Sequence, residues 1–167
     1  MVRDNNDRNY QKERDIALYR GKRPSQIIPF NVQDIAFLIA RLTIAIPDHL
    51  PIIHALYFNN NKWRRTCQKC NIDSAVLRNI IRKVRKQYEW LRHHNPQATP
   101  FSLREVIGLL TRIAIHLTQQ DIVIIQGYYH HEGDWWETCH KCGIPRNRLF
   151  RCLRNKVRKP YLAFLKR

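Results

Sequence analysis

One pattern occurs twice in this chain, and it leaves few folds open. The first copy runs Thr66-Cys67-Gln68-Lys69-Cys70-Asn71-Ile72-Asp73-Ser74-Ala75-Val76-Leu77-Arg78-Asn79-Ile80-Ile81-Arg82. The second runs Thr138-Cys139-His140-Lys141-Cys142-Gly143-Ile144-Pro145-Arg146-Asn147-Arg148-Leu149-Phe150-Arg151-Cys152-Leu153-Arg154. Each reads as a short helix, a tight turn and a longer basic helix. Cys67 and Cys139 occupy the small position midway along the first helix, where the second crosses closely. Asn71 and Gly143 stand at the turn, and both residue types tolerate φ > 0. Ile72 and Ile144 follow as an apolar plug. Leu77 with Ile80, and Leu149 with Cys152, then give the i, i+3 inner face of the longer helix. One such match arises easily by chance, whereas two in register make a strong signal.

The duplication starts further upstream. Phe30-Asn31-Val32-Gln33-Asp34 parallels Phe101-Ser102-Leu103-Arg104-Glu105. Ser102-x-x-Glu105 is a capping box and Asn31-x-x-Asp34 a looser one, each satisfying orphaned amides at a helix start. Apolar helices follow through Ile35 to Ile39 and Val106 to Leu110, and Arg41 matches Arg112. Second helices are expected over Pro51–Tyr57 and Asp121–Tyr129. The β-branched run Ile122 to Ile125 also suits a strand, but its alignment with the first copy favours helix. Trp63, Trp135 and Trp136 open the short helices and are expected to pack against the bundle.

The predicted fold is all-α, with two tandem four-helix units, each ending in a helix-turn-helix. Residues 1–27 read as a flexible basic arm, 28–91 as the first domain, 92–98 as a linker and 99–167 as the second domain. Pro96 and Pro100 favour an extended linker. Val84, Tyr88, Val157 and Tyr161 read as core, and Pro160 is expected to end or kink its helix.

Thirty Lys+Arg against thirteen Asp+Glu give a formal net charge of +17. That imbalance points to a polyanionic partner, with nucleic acid ahead of an anionic membrane surface. No apolar run reaches the roughly 18 residues of a membrane span, and the polar N-terminus lacks a signal-peptide core. A cytoplasmic protein is therefore expected, in the bacterial cytoplasm or nucleoid, with no membrane partner. Five cysteines, an odd number, favour reduced thiols over a disulfide framework.

In a helix-turn-helix the second helix enters the major groove with its N-terminal outer face towards base edges. Those positions are Ser74, Arg78, Asn79 and Arg82 in the first copy, and Arg146, Asn147, Arg151 and Arg154 in the second. Arg reads guanine and Asn reads adenine through paired hydrogen bonds, so the residue types suit direct readout. Lys83, Arg85, Lys86, Arg158 and Lys159 lie further along as candidate phosphate contacts, which position without specifying sequence. A solvated face usually mixes signs, whereas acid is nearly absent from both helices before Glu89.

This order of helices resembles the region-four domain of bacterial sigma factors and related promoter-reading regulators, twice over, at about 28–91 and 99–165. It is also similar to a domain of Q-type phage late-gene antiterminators. The resemblance implies a phage or plasmid transcription regulator bound to double-stranded DNA, with RNA polymerase as a candidate second partner. The cysteines replace the alanine usual at the small position, and Pro145 is an unusual start for a recognition helix. Because the motif is duplicated, a monomer suffices to cover two unlike half-sites. An architectural or accessory factor for conjugation, replication or recombination is the alternative, and an RNA-binding protein comes behind it.

Zinc needs about four ligands. Cys67, Cys70, Cys139 and Cys142 supply them only if two pairs from separate repeats meet, and at inward positions cysteine serves as a small apolar residue. No catalytic set is visible: there is no glycine-rich phosphate loop and the few carboxylates read as caps. The expectation is a protein that is not an enzyme and has no cofactor.

Overall fold

The computed structural model describes residues 27–166, and the expected N-terminal arm lies almost entirely outside them. The described residues are helical with no strand. The first copy contributes α1 (Val32–Ala45), α2 (Leu50–Phe58), α3 (Trp63–Cys70) and α4 (Ser74–His94). The second contributes α5 (Leu103–Ala114), α6 (Gln119–His130), α7 (Trp135–Cys142) and α8 (Arg146–Cys152). A π-helical stretch (Leu153–Arg158) joins α8 directly to α9 (Lys159–Leu165). Among the described residues no single helix is long and apolar enough to cross a membrane.

Local chemistry starts three of these helices. Asn31 accepts from the Asp34 amide at 2.7 Å while Asp34 accepts from the Asn31 amide at 3.2 Å. Ser102 and Glu105 do the same for α5. Thr118 and Asp121 form a third reciprocal pair at α6. Each box satisfies two amides that a helix start otherwise leaves unpaired. The β-branched run Ile122 to Ile125 is helical, within α6.

The two copies do not pack as separate bodies. α1 packs chiefly on α6, and α2 on α5, so each copy's first helix lies against the other's second. Buried apolar side chains from both copies form one continuous cluster, from Phe30 and Ile35 to Tyr161 and Phe164. Phe37 meets Tyr128 and Tyr129 across this seam, with ring centroids 5.6 and 5.3 Å apart. Arg41 donates to the Tyr129 hydroxyl at 2.7 Å and to Gln87 at 2.8 Å, and its guanidinium lies 4.2 Å from the centre of the Trp90 ring. Arg41 thus loses water but gains two hydrogen bonds and a ring face.

The stretch expected as an extended linker, 92–98, is helical as far as His94. Beyond it the chain is tied down rather than loose. Asn95 donates to Asp34 at 2.8 Å. Ile28 and Thr99 exchange hydrogen bonds, Thr99 N–H to the Ile28 carbonyl at 2.7 Å and Ile28 N–H to the Thr99 hydroxyl at 3.0 Å. Ala98 and Thr99 are buried.

Pro160 does not end its helix, which continues to Leu165. The π stretch just before Pro160 follows from the spacing of the buried residues. Ile81 and Val84 stand i, i+3 on α4, whereas their counterparts Leu153 and Val157 stand i, i+4. The second copy carries one residue more between these positions. A π turn takes up one extra residue without breaking the helix, so Val157, Tyr161 and Phe164 return to the inner face held by Val84, Tyr88 and Leu91. All six are buried, as expected for Val84, Tyr88, Val157 and Tyr161.

Candidate nucleic-acid interface

Both tight turns have the backbone their residues favour. Asn71 closes α3 at φ 53° and Gly143 closes α7 at φ 64°, each in the left-handed region. Leu77, Ile80, Leu149 and Cys152 are buried on the inner face of the following helix. On the two short helices the most deeply buried residues stand one place before the cysteines. Thr66 and Thr138 are fully buried there, while Cys67 and Cys139 are only half-buried. Each threonine hydroxyl satisfies itself on its own helix, on Lys62 at 2.8 Å and Asp134 at 2.6 Å. Cys67 and Cys139, the neighbouring positions, pack partly against the core.

With the inner face buried, the outer face of each longer helix is left to solvent. All eight candidate base readers are exposed: Ser74, Arg78, Asn79, Arg82, Arg146, Asn147, Arg151 and Arg154. So are the five candidate phosphate contacts Lys83, Arg85, Lys86, Arg158 and Lys159. The side chains of Arg78, Asn79 and Arg82 make no hydrogen bond or ion pair to other described residues. Arg151 folds back to the Asn147 carbonyl at 3.4 Å. No side chain caps the first turn of α4 or α8 by hydrogen bond, and Asp73 stands exposed at the start of α4. A groove of about 560 Å³ runs along the start of α4, lined by Trp63, Cys67, Ile72 and Ser74 among others.

The two faces differ in kind. In the second copy Trp135 and Phe150 lie 6.4 Å apart between ring centres. The Arg146 guanidinium stands 5.9 Å from the Trp135 ring, and that of Arg154 5.9 Å from Phe150. Trp136 is not packed against the bundle as expected; it is 68 % exposed and stacks on His140 with ring centroids 5.0 Å apart. Trp63 too is 38 % exposed.

Two basic residues of the second copy face inward. Asp121 is buried at the start of α6, where Arg148 reaches it at 3.4 Å and Lys156 at 3.8 Å. Lys156 also donates to the His116 carbonyl at 3.0 Å. Burial alone would raise the Asp121 carboxyl. The Thr118 hydrogen bonds, with Lys156 and Arg148, outweigh that and hold it below the ordinary aspartate value. Burial and the neighbouring Asp121 push the Cys152 thiol up to about 12. Thr118-x-x-Asp121 is itself a capping-box pattern, so this centre had a legible sequence signal. Arg148, four residues before buried Cys152, was not a predicted site residue.

Among the described residues no three His, Cys, Asp or Glu side chains converge to hold a metal ion, and all five thiols are free. Cys142 instead packs against Gly127, where an added methyl would stand 2.6 Å from its sulfur. Burial raises the Cys142 thiol, with Cys139 adding to the effect.

Comparison with models of known protein families, with curated proteins and with solved structures finds no match.

Proposed function

We propose that this chain is a sequence-specific double-stranded DNA-binding regulator that inserts α4 and α8 into the major groove as a covalent pair of helix-turn-helix motifs. The observation that supports this most is the pair of exposed basic faces that follow the two turns. Each follows a left-handed turn at Asn71 or Gly143 and presents Arg and Asn where base edges would lie. Arg85 with Lys86, and Arg158 with Lys159, recur in register further along to take phosphates. Promoter or operator occupancy is the mechanism this chemistry suits, with RNA polymerase as a candidate second partner. The protein would act as a monomer in the bacterial cytoplasm or nucleoid, without catalysis and without a cofactor.

The shared core adds a constraint. α1 on α6 and α2 on α5 hold the two copies together, so α4 and α8 would meet DNA as one unit. The test is selection of bound duplexes from a random pool, followed by footprinting. The expected result is one protected site with two unlike halves at a fixed separation. Equal affinity for selected and scrambled duplexes would leave an architectural, sequence-indifferent binder.

A further inference from the structure

Resting on that reading, we propose that the DNA site is an inverted one, its two unlike halves read by α4 and α8 in opposite directions along a single duplex. The two copies touch each other reciprocally. α1 lies on α6, and its counterpart α5 lies on α2. Phe37 of α1 meets Tyr129 of α6. At the matched places Tyr57 of α2 comes against Gly108 of α5, where an added methyl would stand 3.1 Å from the tyrosine ring. Two further contacts join a residue to its own counterpart, Ile28 with Thr99 and Phe30 with Phe101.

Contacts that recur when the two copies are exchanged mark an isologous pairing, generated by a half-turn about one axis. A head-to-tail pairing, which a tandem repeat could equally adopt, brings different surfaces of the copies together. The self-paired contacts place the axis between Ile28 and Thr99 and beside Phe30 and Phe101. An approximate half-turn there carries α4 onto α8 and reverses its direction across the axis. A duplex entered by both helices then meets them running opposite ways, as the symmetry of an operator mirrors the two-fold symmetry of its protein. The π stretch begins only at Leu153, after Asn147 and Arg151, so the reading turns of α8 lie before the point where the copies depart from each other.

The test selects bound duplexes from a random pool with the full chain, then measures the base preference of single variants at every position of the selected site. Arg78 and Arg82 stand about one turn apart on α4, as Asn147 and Arg151 do on α8. Arg78→Ala, Arg82→Ala, Asn147→Ala and Arg151→Ala should each relax preference at one base pair, by about ten-fold. The order of the two affected positions in each half gives the direction in which that helix runs along the DNA. The expected result is opposite orders in the two halves. The same order in both halves would overturn the inverted site and leave duplex reading intact. Selected sites that fall into two classes, one answering to each helix, would also overturn it, since each helix would then hold a separate duplex. Unchanged base preference in all four variants would remove the duplex reading as well.

Discussion

The hydroxyl of Tyr161 donates to the carbonyl of Phe30 at 2.7 Å, although one residue opens the first copy and the other lies near the end of the second. Tyr88 mirrors it, donating to the Phe101 carbonyl at 3.0 Å. The last helix of each copy therefore secures the first residues of the other. Phe30 and Phe101 touch where these ties meet, with ring centroids 5.7 Å apart.

This exchange predicts that the halves depend on each other. Fragments 1–95 and 96–167 should each lack a cooperative unfolding transition, because each leaves half of a shared core exposed. Mixed, they should recover helicity and a single transition, read by circular dichroism. Two fragments that each unfold cooperatively alone would refute the shared core. In the intact chain, Tyr161→Phe should cost about 1–3 kcal/mol, since the buried Phe30 carbonyl loses its donor.

Asp121 predicts a pH dependence with a definite sign. Its folded value lies below the ordinary 3.8, so its contribution is whole above that value and lost as pH falls through the folded one. Arg148 and Lys156 are about one-third exposed, which screens them, and Asp121→Asn should cost about 1–2 kcal/mol near neutrality. Urea denaturation should show that difference constant from pH 8 to about pH 5 and closing at lower pH. A gap that widens on acidification would contradict the assignment.

The thiols should separate by reactivity. Cys152 is buried and its thiol is pushed up to about 12, so almost no thiolate exists near pH 8. Alkylation followed by mass spectrometry should leave Cys152 unmodified until the protein unfolds. Cys142 should lag behind Cys67, whose sulfur is half-buried at the rim. Labelling of Cys152 at the rate of Cys67 would show that the inner face opens locally.

On DNA, the two classes of basic residue should behave differently. Arg78→Ala or Arg151→Ala should relax base preference at one position by about 1–3 kcal/mol. Lys86→Ala or Lys159→Ala should weaken all sequences alike and reduce the salt slope by about one. Inserting about half a helical turn, roughly 5 base pairs, between the half-sites should abolish paired binding because the copies cannot rotate independently. Uniform losses in every variant would mean that charge alone drives binding.

What could be read from sequence was local. The turns at Asn71 and Gly143 and the faces of Leu77, Ile80, Leu149 and Cys152 follow from backbone preference and helix period, which need no partner. The exchange of Tyr88 and Tyr161 was hidden, because both looked like plain core positions and the hydroxyl's destination depends on topology. Thr66 and Thr138, the most buried residues of the short helices, had no signal of their own beside the adjacent cysteines. Pro160 drew attention as a helix breaker, whereas the change from i, i+3 to i, i+4 spacing after Leu153 carried the truer message.

The reciprocal ties also carry a change in one copy into the other. A core position here serves a neighbour built from the other copy, so a change in one half must still fit its sibling. Phe30 and Phe101, and Tyr88 and Tyr161, are the same residues in the two copies. At matched outward positions the copies differ, Ser74 against Arg146 and Arg78 against Phe150, so one shared scaffold holds two unlike surfaces at a fixed distance from each other.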